Sequence, residues 1–182
     1  MKVIKTGFEG LVIIEPGVFE DSRGYFFESF NMEQFFGAGV NFSPVQDNES
    51  QSSQGVIRGL HYQLNPVAQA KLIRVIKGSI YDVAVDLRAA SPTCGKWFGL
   101  ELNSDSKKQL FIPRGFAHGF SVLSQSAIIL YKCDNFYSPE HERGILYNDP
   151  GLAIDWRVDP SAEVISNKDM KNPLFAGAEK NF

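Results

Sequence analysis

Short apolar or alternating runs of strand length dominate the chain, and few segments repeat at helical spacing. The runs are Leu11 to Ile14, Tyr25 to Phe30, Lys71 to Ile76, Ile80 to Leu87, Trp97 to Leu102, Gln109 to Ile112, Phe120 to Leu123 and Ala127 to Cys133. Turn residues separate them, as in Lys77-Gly78-Ser79, Asn103-Ser104-Asp105 and Pro113-Arg114-Gly115, at the spacing of a sandwich or barrel. From Ile80 to Leu87 the alternation is imperfect, as in a strand with one face to a core and the other to a semi-polar cavity. A small barrel holds a ligand in this way. Helical signal is sparse. Asn31 to Phe36 begins on an N-cap residue and stops at Gly37, room for about two turns, and a second short helix is expected to include Ser166 to Met170. The polar stretch Gln46 to Gln54 reads as a loop. The pattern predicts an all-β fold, a β-sandwich or β-barrel, with short helices.

Composition narrows this picture. With 182 residues the chain fits a single domain able to bury a real core. Hydrophobic residues at 43% and charged residues at 21% argue against disorder, fibrous repeats or a membrane span. A formal net charge of -3 argues against a general nucleic-acid or anionic-membrane binder, so any anion must be caught locally. Cys94 and Cys133 stand far apart and form no CxxC pair, which points to free thiols in a reducing compartment. The run Leu11 to Ile14 is too brief for a signal-peptide core or a membrane helix, and a cytoplasmic protein is expected. Fifteen Phe, six Tyr and two Trp suit strand packing, with some left for stacking on a planar ligand.

Two of the three histidines sit in glycine-bounded settings, Arg58-Gly59-Leu60-His61-Tyr62-Gln63 and Pro113-Arg114-Gly115-Phe116-Ala117-His118-Gly119-Phe120; His141 lies among charges. Alone, each reads first as structural or solvated, although imidazole suits proton abstraction near neutrality. Small metal-binding barrels place a His-x-His pair, a following Glu and a further His around iron, manganese or zinc. In His61-Tyr62-Gln63 the second His is replaced by Gln and no Glu follows where one is needed, so no metal is expected.

Five blocks carry more information together: Arg23-Gly24-Tyr25-Phe26-Phe27-Glu28, Val45-Gln46-Asp47-Asn48, Ile57-Arg58-Gly59-Leu60-His61, Pro113 to Phe120, and Leu130-Tyr131-Lys132. In order and spacing, from about Phe8 to Leu174, the chain resembles the dTDP-4-dehydrorhamnose 3,5-epimerase family. The resemblance implies a metal-free, cofactor-free, cupin-like jelly roll, its core spanning about residues 8–140 and its C-terminal extension packed on it. It also implies a homodimer with shared active sites. The substrate would be thymidine diphosphate joined to a 4-keto-6-deoxyhexose, with dTDP-4-dehydro-6-deoxy-D-glucose converted to dTDP-4-dehydro-L-rhamnose.

Carbons 3 and 5 of such a sugar flank the C4 ketone, so loss of either hydrogen gives an enolate, and inversion requires reprotonation from the opposite face. That chemistry needs a base, an opposed acid and a group for the oxyanion. By resemblance His61 is the base, Asp169 its orienting carboxylate, Tyr131 the acid and Lys71 the group near the C4 oxygen. The resemblance assigns substrate contacts to Arg58, Gln46, Asn48, His118, Glu142 and Lys168, thymine stacking to Tyr137, and Arg23 and Glu28 to a neighbouring subunit's site. Without it, Tyr131 would read as a core residue and Lys71 as a solvated strand end. A mono-epimerase, a 3,4-ketoisomerase on the same scaffold, and a non-catalytic sugar-nucleotide-binding cupin are the alternatives.

Overall fold

The computed structural model describes all 182 residues. Its strands are β1 (Lys2–Lys5), β2 (Val12–Glu15), β3 (Phe19–Asp21), β4 (Gly24–Phe26), β5 (Gln46–Ser53), β6 (Val56–Gln63), β7 (Lys71–Lys77), β8 (Ser79–Asp86), β9 (Trp97–Asn103), β10 (Gln109–Ile112), β11 (Phe116–Val122), β12 (Ser126–Cys133), β13 (Glu142–Gly144) and β14 (Val164–Ile165); one helix, α1 (Met32–Gly37), lies between β4 and β5. One sheet runs β1-β2-β10-β7-β12-β5 and the other β13-β6-β11-β8-β9, with β14 added to β6; β3 and β4 form a separate hairpin. Only the β14–β6 pair is parallel. The architecture is a cupin-like sandwich, in agreement with the all-β expectation.

Alternation along the strands fills the space between the sheets. Ile73 and Val75 of β7, Ile80 and Ala84 of β8, Phe120 and Val122 of β11, and Ala127 and Ile129 of β12 meet there in one cluster with Leu11, Leu102 and Leu110. Truncating a fully buried member such as Leu110 to Ala costs about 2–5 kcal/mol in a core of this kind. Both outer faces are covered too. Leu60, Tyr62, Val83 and Val85 pack under Ile145, Leu152, Trp156 and Ala178 of the C-terminal segment. Val12, Leu72 and Phe111 pack under Phe35 of α1 and Phe42. Asn31 caps α1, its Oδ1 accepting from the Gln34 N–H at 3.1 Å.

A bulge in β6 positions the functional face. His61 pairs with His118 and Arg58 with Phe120, so two residues, Gly59 and Leu60, stand opposite the single Gly119. In an unbroken strand, residues three apart point to opposite faces. The extra residue brings Arg58 and His61 to the same inner face and leaves Ile57 and Leu60 together in the outer cluster. Only glycine serves at position 59: its φ is +126°, and a Cβ there would meet Gly119 Cα at 2.5 Å.

Four expectations require correction. Gln46 to Gln54 is not a loop but largely the edge strand β5. The strand expected over Tyr25 to Phe30 is confined to the hairpin strand Gly24–Phe26. β11 begins at Phe116, not Phe120, and so includes His118. The expected helix near Ser166 to Met170 is one three-residue 3-10 turn, Asp169–Lys171, and the C-terminal segment otherwise winds only in similar turns at Pro160–Ala162 and Phe175–Gly177.

Candidate active site

Where the apolar filling between the sheets gives way to polar side chains, a cavity of about 220 Å³ opens; Gln46, Asn48, His61, Gln63, Lys71, Tyr131, Tyr137 and Glu142 are among the residues lining it. One wall belongs to β6, which carries His61 and Gln63. The facing wall belongs to the other sheet, in which Tyr131 of β12 pairs with Asn48 of β5 and Cys133 pairs with both Lys71 and Gln46. His61 and Tyr131 therefore reach one space from opposite sheets, with Lys71 diagonally beside Tyr131. An adjoining recess of about 200 Å³ shares His61, Tyr62 and Glu142 and adds Lys168 and Arg143.

His61 Nε2 lies 2.7 Å from Asp169 Oδ1. Asp169 is buried in its 3-10 turn, and its second oxygen accepts from the Gly59 N–H at 3.4 Å. Burial pushes the Asp169 carboxyl up, but the His61 hydrogen bond and charge, with the Gly59 N–H, outweigh it and hold the group below the usual carboxylate range. An ionised carboxylate can only accept, so Nε2 carries the proton and the neutral ring presents its lone pair at Nδ1.

Tyr131 and Lys71 make no side-chain hydrogen bond within the chain. Burial raises the Tyr131 phenol, with Arg58 opposing, so the group holds its proton throughout the neutral range. Burial lowers the Lys71 ammonium, with Cys133, Asp82 and Glu142 opposing. A destabilised ammonium donates more readily to a nascent oxyanion. Beneath the cavity, His118 shares its strand pair with His61 and binds Asp82 Oδ2 through Nε2 at 2.9 Å. Asp82 is fully buried and its Oδ1 has no partner, a cost of about 1–3 kcal/mol that a purely structural core would avoid.

At the rim, Glu142 Oε2 accepts from Lys168 Nζ at 2.6 Å and from Tyr137 Oη at 2.8 Å. Burial pushes the Glu142 carboxyl up, but these two donors bring it below its usual value. Arg58 stays exposed, with a long 3.5 Å contact to Gln51 O as the one hydrogen bond of its guanidinium, which is free to meet an anion.

The structure thus gathers Gln46, Asn48, His61, Lys71, Tyr131 and Glu142 around one cavity, with Asp169, His118, Arg58 and Lys168 at its margins. It keeps Arg23 and Glu28 away from this cavity. Arg23 sits on the exposed β3–β4 hairpin, paired to Asp21 at 2.5 Å, and Glu28 accepts from Gln34 Nε2 at 2.6 Å. Sequence reasoning missed Asp82, Gln69 and the structural use of Gln63, whose side chains carry no distinguishing motif. A larger groove of about 1030 Å³ runs outside the sandwich beside α1. It holds no histidine or tyrosine, and its Arg114 is already paired with Asp134.

Comparisons with known proteins identify the family. A family model described as dTDP-4-dehydrorhamnose 3,5-epimerase matches residues 5–177. The enzyme of that name from Shigella flexneri is 51% identical over 98% of both chains, and that from Pseudomonas aeruginosa is 50% identical over 98% of both. Among solved structures, the dTDP-4-dehydrorhamnose 3,5-epimerase of Elizabethkingia anophelis is similar with a TM-score of 0.93, 50% identity and 97% of both chains covered. The dTDP-6-deoxy-D-glucose-3,5-epimerase of Legionella pneumophila, solved in complex with dTDP-4-keto-L-rhamnose, gives 0.92 and 46%, covering 97% of this chain and 93% of its own. A 3′-monoepimerase from Streptomyces bikiniensis gives 0.87 and 32%, covering 94% and 86%. With a family model spanning nearly its whole length and relatives at half identity, this chain belongs to the dTDP-4-dehydrorhamnose 3,5-epimerase family.

Proposed function

We propose that this chain inverts C3 and C5 of dTDP-4-dehydro-6-deoxy-D-glucose to give dTDP-4-dehydro-L-rhamnose. The observation that carries the reading is the placement of His61, backed by Asp169, and Tyr131 on opposite walls of one cavity with Lys71 beside them. His61 Nδ1 takes the proton from a carbon next to the ketone, and the electron pair of the C–H bond moves into an enolate. Lys71 donates to the oxygen where that charge rests. Tyr131 then delivers a proton from the other face, the ketone re-forms, and solvent resets the phenolate and the imidazolium. Oxidation state is unchanged, so the cycle uses no redox cofactor, and Gln63, standing where a metal-binding barrel would carry its second histidine, spends its amide on protein backbone.

Gln46, Asn48, Arg58, His118, Glu142 and Lys168 would bind the nucleotide sugar, with the guanidinium and ammonium groups on its diphosphate and Tyr137 beside the thymine. The β3–β4 hairpin leaves Phe19 71% and Phe26 67% exposed, which supports a homodimer in which Arg23 and Glu28 complete the partner's site. No helix is long and apolar enough to cross a membrane, and the two free thiols suit a reducing cytoplasm. The chain acts as one folded unit.

The test is turnover by the pure protein with a chelator, the 4-keto sugar nucleotide and a downstream reductase. Reductant consumption is expected; none, with the reductase shown active on authentic product, overturns the reading.

A further inference from the structure

Four successive rim residues, Asn135 to Ser138, belong to no strand, yet each has a backbone group held by a glutamine side chain. Gln69 Nε2 donates to Asn135 O at 2.8 Å, and Gln63 Nε2 to Phe136 O at 3.2 Å. The Tyr137 N–H donates to Gln46 Oε1 at 2.9 Å and the Ser138 N–H to Gln63 Oε1 at 2.8 Å. The three glutamines come from β5, from β6 and from the loop before β7, and all line the cavity. Phe136 is 66% and Tyr137 52% exposed, so the segment is not anchored by burying its aromatics. A segment with so little apolar burial opens easily unless its backbone is tied.

We propose that Gln46, Gln63 and Gln69 form a clamp that fixes Asn135 to Ser138 and so holds Tyr137 as a rigid wall for the planar base of the substrate. The inference rests on the reading above for the identity of that base. The glutamines are positioning residues that act through Tyr137.

The amide is the functional group this task requires. Gln63 donates to the Phe136 carbonyl and accepts from an N–H two residues on, imitating a strand partner, while Nε2 also donates to Val67 O at 2.7 Å; a carboxylate could only accept, and would add negative charge beside a diphosphate site. The polarity also propagates. Because the Tyr137 N–H must donate, Gln46 turns its Oε1 outward and its Nε2 to Asn48 Oδ1 at 2.9 Å, which turns Asn48 Nδ2 towards Cys133 Sγ at 3.7 Å.

The first arm of the test needs no ligand. Hydrogen exchange by NMR should show the Ser138 amide protected in the wild-type protein. In Gln63→Ala that protection should fall about tenfold or more, with the β8 amides unchanged. Gln63→Glu, which keeps the acceptor, should restore it. An unprotected wild-type Ser138, or protection unaltered in Gln63→Ala, overturns the clamp.

The second arm measures the Kd of thymidine diphosphate and the KM of the 4-keto sugar nucleotide in a cycle with Tyr137→Ala. Gln63→Ala should weaken binding about tenfold when Tyr137 is present, most of the loss falling on KM, and less than about twofold when it is absent. Equal penalties in both backgrounds mean that Gln63 does not act through Tyr137 and overturn the proposal. If Gln63→Ala fails to fold, Gln69→Ala enters the same cycle with the same criterion. Absent wild-type turnover would sink the proposed function and leave the exchange result standing.

Discussion

His61 and Asp169 are 108 residues apart in sequence and 2.7 Å apart in space, and each gives the other its role. The carboxylate fixes the proton on Nε2 and frees Nδ1; the imidazole helps to keep the buried carboxylate ionised. Tyr131 is tuned in the opposite sense, because burial raises its phenol above the ordinary value of about 10. A raised phenol loses its proton only at still higher pH, so deprotonation of Tyr131 should cause no decline in kcat below about pH 10. Replacing Tyr131 by Phe should leave solvent exchange at the abstracted position while slowing inversion about 10²-fold or more, read by following label and product in one NMR time course. Full turnover by Tyr131→Phe would remove the residue from the mechanism. His61 and His118 were visible in the sequence as glycine-bounded histidines. Their carboxylates were not equally visible: Asp169 emerged only through the family resemblance, and Asp82 lies inside an apolar strand run with no outward sign of its partner.

At the scale of elements, the strands legible in the sequence were those with an apolar face. β7, β8, β9, β10 and β12 fall within a residue or two of the runs read from alternation. β5 escaped because neither of its faces needs apolar residues: it is an edge strand, with one face to solvent and the other towards the polar cavity. Its exposure alternates residue by residue while its composition, Gln46-Asp47-Asn48-Glu49-Ser50-Gln51, stays polar throughout. β6 was hidden differently, since the bulge at Gly59 and Leu60 breaks the period that would reveal a strand.

The connection after β8 carries its own lock. Asp86 accepts from Arg88, Ser91 and Thr93. Burial pushes its carboxyl up, but these donors together bring it down to about 2. With the folded value below the unfolded value of 3.8, this stabilisation is present above about pH 4 and disappears as pH falls through about 2. Asp86→Asn should therefore cost about 2 kcal/mol or more at pH 7, and the gap from wild type in denaturant titrations should close between pH 4 and 2. A gap independent of pH would show that the ionised carboxylate is not what stabilises the loop.

Over the whole molecule, the two sheets that enclose the cavity are covered on one outer face by α1 and on the other by the C-terminal segment, which also brings Lys168 and Asp169 to the site. The β3–β4 hairpin remains outside this arrangement, presenting Arg23 to solvent. If Arg23 serves a partner's cavity, an inactive Arg23→Ala protein and an inactive His61→Ala protein should complement when unfolded together and refolded as mixed dimers. Random pairing would restore about a quarter of the sites, since each mixed dimer contains one site with both residues intact. No recovery, with mixed dimers demonstrated, would place Arg23 in its own subunit's function or in none.

The opposed acid and base remain the central claim, and solvent labelling reads them most directly. Wild-type protein incubated in D2O with dTDP-4-dehydro-6-deoxy-D-glucose should yield product carrying deuterium at both C3 and C5, while His61→Ala incorporates none at either carbon. Label at a single carbon in the wild-type product, or unchanged labelling in the His61 variant, would contradict the account.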